Sequence, residues 1–174
     1  MAIAGIPEVI NDFNIYRTGN RLAGTTGEVA LPDFEAIVAT ISGNGILGEY
    51  DAPITGHYGN MDQEIPFRVI NMDFFDLSDP TVTQELTLRG AIQCMDRATQ
   101  NSTEMGMRVV FRGRCKKFAP GTVKQREAMN GAITLALTYI LIELDGKEKV
   151  KLDKVNGEFR INGVDKLAKI RQLT

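Results

Sequence analysis

The sequence predicts a mainly β fold: an antiparallel β-barrel or sandwich of two packed sheets, with one short α-helix and a long protruding loop. Three observations carry this. Met107, Val109, Phe111 and Cys115 alternate with Arg108, Arg112, Arg114 and Lys116, and period-two alternation marks a strand with two unlike faces. Residues 132–144 run without a charge until Glu143 and are rich in β-branched side chains, which favours a strand over a buried helix. That run ends at Asp145-Gly146, and Asn156-Gly157 and Asn162-Gly163 follow. Such pairs tolerate the positive φ of type I′ hairpin turns.

The elements follow in order. Residues 1–12 read as an N-terminal arm carrying Ile3, Ile6, Val9 and Ile10, with Pro7 opposing a helix. An apolar arm docks on its own core or on a neighbour. Residues 13–16 and 29–31 are short strand candidates, separated by turn-rich Gly19-Asn20 and Gly24-Thr25-Thr26-Gly27. Residues 34–41 alternate weakly, and their low charge and small side chains suit a strand covered on both faces or one with a face lining an interior.

Residues 43–59 read as an extended loop. Gly43-Asn44-Gly45 and Gly48 bracket Ile46 and Leu47. No G-x-G-x-x-G, no G-K-[ST] and no helix pattern follows, so phosphate binding is not indicated. An Ile-Leu pair at a loop tip fits contact with another subunit, and Tyr50 joins it. His57, the only histidine, has no nucleophile motif beside it and reads as a loop or interface residue.

Residues 65–70 form a strand. Residues 71–77 form the one short helix, with Asn71 or Asp73 as N-cap and Phe74, Phe75 and Leu77 as anchors. Residues 85–95 alternate again. A polar loop at 96–104 leads into the Arg108 strand, and another at 118–130 leads into the 132–144 strand. Thirteen extended residues span roughly 43 Å, long enough to reach beyond one core. Residues 149–153 return as the hairpin partner. The C-terminal tail, 164–174, places Leu167, Ile170 and Leu173 at helical spacing, compatible with a short helix or an extended end.

Length and composition bound the rest. The 174 residues fit one domain, and 43% apolar content supports a packed core without staples. No apolar run approaches the roughly 20 residues that cross a bilayer, so no membrane anchor is expected. The start lacks the basic n-region of a secretory signal. Cys94 and Cys115 read as reduced core residues, since structural zinc sites use four ligands. No HExxH, GxSxG, CxxC or EF-hand spacing is present, and the acid pairs Asp62/Glu64 and Asp73/Asp76 read as solvated. No enzyme, cofactor or metal is therefore expected.

Charge is unevenly placed. Residues 1–104 hold 15 acids and 5 bases, net −10, and residues 105–174 hold 7 and 15, net +8. Three readings fit: neutralisation within one subunit, a nucleic-acid patch, or complementary surfaces on stacked copies. The second supports a rival function, a monomeric β-barrel module that binds nucleic acid through the Arg108 face.

From Arg112 onward the chain resembles the major tail tube proteins of contractile-tailed bacteriophages. The residues that carry this are Val109-Val110-Phe111-Arg112-Gly113-Arg114, Thr138-Tyr139, Leu144-Asp145-Gly146-Lys147-Glu148 and Asn162-Gly163-Val164-Asp165. Val29-Ala30-Leu31-Pro32 and Gly43-Asn44-Gly45 are similar to a lesser degree. The resemblance implies a structural subunit that forms hexameric rings, stacked helically into a hollow tube inside a contractile sheath. The tube would penetrate the host envelope and pass DNA through its lumen without sequence-specific binding. It also implies sheath, initiator or baseplate, and terminator proteins as partners, with assembly in the host cytoplasm. Tubes of R-type bacteriocins and type VI secretion are relatives, so a headless particle is an alternative.

The residue reading meets this on physical grounds. Long strands must have their edges covered, and subunits paired edge to edge would cover them. Heterologous stacking without closure gives filaments. The small-residue faces at 132–138 and 34–40 suit a tight barrel between subunits. The inter-subunit contacts are expected at Ile3 and Ile6, at Gly43, Asn44, Ile46, Leu47, Tyr50 and His57, at Arg112 and Arg114, and at Leu167 and Ile170.

Overall fold

The computed structural model describes residues 5–174. In chain order the elements are β1 (Gly5–Arg17), β2 (Asn20–Arg21), β3 (Ala36–Ser42), β4 (Glu49–Tyr58), β5 (Asp62–Phe67), α1 (Met72–Leu77), β6 (Gln84–Asp96), β7 (Ser102–Ala119), β8 (Gly131–Leu144), β9 (Lys147–Asp153), β10 (Glu158–Ile161), β11 (Val164–Asp165) and α2 (Ala168–Leu173). One antiparallel sheet runs β11-β10-β9-β8-β7-β6-β1-β2, and β3 and β4 form a second. The sheets do not close into a barrel, so of the two architectures expected the sandwich is the one observed.

The large sheet branches at β8. Its first half pairs with β5, from Gly131 opposite Phe67 to Ala136 opposite Asp62. Its second half pairs with β9, from Tyr139 opposite Asp153 to Leu144 opposite Lys147. β7 covers the other edge along nearly its whole length, with register shifts at Arg112/Gly113 and Cys115/Lys117. Gly113 sits at the first shift, where any Cβ would run into the Ala136 carbonyl. The Arg-Gly-Arg step therefore lets two backbones approach where the strands bend.

The inward positions build one core. Val109, Phe111 and Cys115 from β7 meet Ile133, Leu135, Leu137 and Ile140 from β8, with Ile65 and Phe67 from β5 and Leu86 from β6. α1 lies against this cluster. Asn71 caps it by accepting a hydrogen bond from the Phe74 amide at 3.0 Å, and Phe74 and Leu77 are buried. Phe75, expected to anchor the helix, is exposed instead, because i and i+3 share a helix face and i+1 does not. Two of the three hairpin turns form as read: Asp145 and Gly146 have φ 51° and 71°, and Asn162 and Gly163 have φ 51° and 78°, whereas at Asn156-Gly157 only Gly157 takes positive φ, in a longer turn held by Asp153.

Several elements differ from the sequence reading. Residues 29–31 are not a strand: no ladder partner reaches them, although the Gln63 side chain donates to the Ala30 carbonyl at 2.8 Å. Within the expected arm, residues 5–12 belong to β1 and pair with β6, Ile6 lying opposite Met95. Half of the expected loop is strand β4. Its Pro53 and the positive φ of Gly56 hide the pattern, and both are tolerated because β4 is an edge strand with a bulge. For the C-terminal tail the helical option is the one observed, as α2, which makes two short helices in all among the described residues.

Cys115 lies in the core cluster and Cys94 is buried outside it, both unbridged. Burial pushes the Cys115 thiol pKa up, against the opposing pull of the Lys117 amide.

Candidate assembly surfaces

The β3–β4 hairpin contains no buried residue. Ile37, Val38, Tyr50 and Ile54 are exposed along it, and Leu47 at its tip is 106% exposed. A two-stranded hairpin alone is marginal in water, so its order needs packing that the subunit supplies only at the base. There Tyr58 meets Phe34 at 5.9 Å and Phe159 at 5.2 Å. The Gly59 amide donates to the Glu35 carbonyl at 2.9 Å, and the Lys154 ammonium donates to the Gly59 carbonyl at 2.5 Å. A four-residue bulge (54–57) faces Ile37 between the paired positions Tyr58 and Pro53. It brings Gly56 so close to Leu167 that an added Cβ would lie 2.8 Å from its Cδ2. At the tip Gly43, Gly45 and Gly48 all take positive φ, and the Ile46 amide closes the turn on the Gly43 carbonyl at 3.1 Å.

A second unfinished surface is the outer edge of β1. β2 pairs with only Tyr16 and Arg17, and among the described residues no strand covers the rest of that edge. Ile6, Val9 and Ile10 are exposed on it. Beyond β2 the Leu22 amide donates to the Ile15 carbonyl at 2.8 Å, and residues 23–31 leave a groove of about 910 Å³, lined by Phe13, Ile15, Leu22, Val29, Leu88 and Met107 among others. Met72 and Phe75 on α1, and Ile170 and Leu173 on α2, add further exposed apolar side chains.

The outward face of the large sheet is different in kind. Its charges pair across strands: Arg112 with Glu85 at 2.5 Å, Arg108 with Glu143 at 2.9 Å, Lys116 with Asp62 at 2.8 Å and Lys151 with Glu158 at 2.7 Å. The Arg112 guanidinium also lies 4.4 Å from the Tyr139 ring centroid. Lys116 reaches Asp62 across β8, where Ala136 and Thr134 are too small to block it. Two of these pairs, Arg112 with Glu85 and Lys116 with Asp62, join the base-rich part of the sequence to the acid-rich part, and the other two lie within the base-rich part. Among the described residues Arg114 has no carboxylate within ion-pair distance.

The expected contact residues separate into groups. Gly43, Asn44, Ile46, Leu47 and Tyr50 gather on the hairpin, and His57 lies exposed in its bulge. Ile6 is on the β1 edge, and Ile3 lies outside the described residues. Arg112 and Arg114 stand on the charged face. Ile170 is exposed on α2, whereas Leu167 packs within the subunit against the core and the Gly56 bulge. Ile37, Val38 and Ile54 belong with the hairpin group and were not singled out from the sequence. Their signal was a strand with apolar side chains on both faces, which reads as fully covered when seen without its surroundings.

No three metal-ligating side chains converge among the described residues. What the surface presents is projecting apolar edges around a wet sheet face, the build of a subunit completed by its neighbours. A model of the family described as phage tail tube protein FII matches residues 7–173. The tail tube protein of Escherichia phage P2 is 28% identical over 174 residues, with 96% of each chain covered. A chain of the cryo-EM structure of an extracellular contractile injection system, the PVC sheath/tube terminator in the extended state, aligns with a TM-score of 0.54. That match covers 79% of this chain and 96% of the other at 12% identity, a likeness of fold.

The chain therefore belongs to the phage tail tube protein FII family. It is a tail tube protein, a structural component of the virion.

Proposed function

We propose that the chain, as one tail-tube domain spanning residues 1–174, forms hexameric rings that stack into the hollow inner tube of a contractile tail. The tube passes DNA without sequence-specific binding and is driven through the host envelope. Its partners are further copies of itself, the sheath protein, and the proteins that initiate and terminate the tube. Assembly takes place in the host cytoplasm, and the chain performs no catalysis.

The observation that carries this reading is the β3–β4 hairpin, ordered yet without a buried residue. Such a hairpin is half of an interface. The open β1 edge and α2 offer the complementary places for a neighbour, with Ile3, Ile6 and Ile170 at the contacts. The rival nucleic-acid module loses three of the cations it relies on, because Arg108, Arg112 and Lys116 are already paired with carboxylates.

Negative-stain microscopy of the purified chain across concentration tests the proposal. Rings and long hollow tubes are expected from the parent, and folded protein without tubes from a variant lacking residues 43–48. Tubes of normal length from that deletion would remove the hairpin from the interface.

A further inference from the structure

The β3–β4 hairpin leaves the subunit at a pivot formed by Tyr58 and Gly59. Tyr58 stands between Phe34 and Phe159, and the Gly59 carbonyl accepts from Lys154. Contacts at a pivot resist rotation weakly, because they have no lever. Leu167 is placed differently. It meets the hairpin at Gly56, farther out along β4, in the bulge that interrupts the pairing with β3. Gly56 has φ 77°, a region that glycine enters without steric cost. The three atoms nearest to the place of its missing Cβ all belong to Leu167. Bulge and glycine together make a socket of bare backbone, and the Leu167 side chain fills it.

Leu167 is in turn held to the large sheet. β11 pairs with β10, Asp165 lying opposite Arg160, and the Lys166 amide donates to the Phe159 carbonyl at 2.9 Å. The Leu167 amide donates to the Asp165 carboxylate at 2.9 Å. One turn further on, the Arg171 guanidinium returns to the same carboxylate and donates to the Gly157 carbonyl at 3.0 Å. α2 has six residues and none of them is buried. A helix of that length does not stand alone in water, so these ties keep it in place.

We infer that residues 165–171 are an internal brace that sets the angle of the hairpin to the large sheet and joins α2 and the hairpin into one mechanical unit. The chain of contacts runs from β10 through β11 and Leu167 to the Gly56 bulge. On the assembly proposed above, on which this coupling rests, a neighbour seated on the exposed Ile170 and Leu173 fixes α2, and through Leu167 it fixes the hairpin as well.

Hydrogen exchange of unassembled subunits tests the brace. In Leu167→Ala the amides of β3 and β4 should exchange roughly tenfold faster than in the parent, while those of β7 and β8 keep their protection. Leu167 also touches the core, so Arg171→Met serves as a second variant. It leaves Leu167 intact, removes two ties that hold it, and should speed exchange in the same two strands. Unchanged exchange of β3 and β4 in either variant overturns the brace. So does exchange that rises equally in β7 and β8, since Leu167 would then serve the core alone. The coupling is read from the critical concentration for tubes of Leu47→Ala, Leu173→Ala and the double variant. Linked sites give a double effect that differs from the product of the two single fold-changes, and a plain product overturns the coupling. Failure of the parent to form tubes overturns the tube reading and the coupling with it, while the exchange experiment decides the brace by itself.

Discussion

Leu47 offers the sharpest separation of folding from assembly. It stands fully exposed at the tip of the β3–β4 hairpin, on a turn set by Gly43, Gly45 and Gly48. Truncating it to alanine removes nothing the isolated subunit uses, so the unassembled protein should keep its stability within about 0.5 kcal/mol. On the assembly proposed above, the same side chain is buried against a neighbour. Alanine lacks three of leucine's carbons, and at about 0.8 kcal/mol each the contact loses about 2 kcal/mol. Every subunit added to the tube makes that contact once, so the critical concentration for assembly should rise roughly 30-fold. Sedimentation of tubes across a concentration series gives the critical concentration, and calorimetry of unassembled subunits gives the melting temperature. An unchanged critical concentration would refute the reasoning. So would a raised one accompanied by a lower melting temperature, since the damage would then lie in the fold.

Phe74 and Phe75 should part company: Phe74→Ala leaves a cavity under α1 and costs about 3–5 kcal/mol of unfolding free energy, whereas Phe75→Ala leaves subunit stability nearly unchanged and impairs assembly if α1 is an interface. Denaturant titration and tube yield read the two. Gly56→Ala forces a Cβ into the positive-φ region and against Leu167, with an expected loss of about 1–2 kcal/mol; adding Leu167→Ala relieves the contact but not the backbone strain, so recovery to parent stability would refute the φ argument. Burial raises the pKa of Asp153, but the Asn156 and Val155 amides and the Asn156 side chain outweigh it and hold the carboxyl below its usual value. Its contribution is therefore present above the ordinary carboxylate range and lost as pH falls through the depressed folded value. Asp153→Asn should cost about 1 kcal/mol at neutral pH and flatten the acid limb of the stability curve, which urea titration at several pH values would show.

The parts of this fold legible in the sequence are those fixed by local chemistry. The alternation around Val109 and Phe111, the Asp145-Gly146 turn and the Asn71 cap each depend on a few neighbouring residues. The hairpin is harder to read because so little of the subunit packs against it. Residues 36–42 carry apolar side chains on both faces, and in β4 a proline and a four-residue bulge erase the period. The arm expected at 1–12 was drawn one element too long, since Glu8 and Asn11 are bulge residues that break the alternation of β1. The pairing of Arg112 with Glu85 and of Lys116 with Asp62 depends on register between strands far apart in sequence. No local pattern carries that, and it decides whether the basic strand binds phosphate.

The placement of β7 has a mechanical consequence. It is held by β6 along one edge and by β8 along the other for most of its 18 residues. A pull along its axis has to shear both ladders at once, loading many hydrogen bonds together. A pull across it opens them one at a time, each resisting with only about 1 kcal/mol. The subunit is thus stiff in one direction and compliant in the other. The line along which the subunit best withstands load runs with β7.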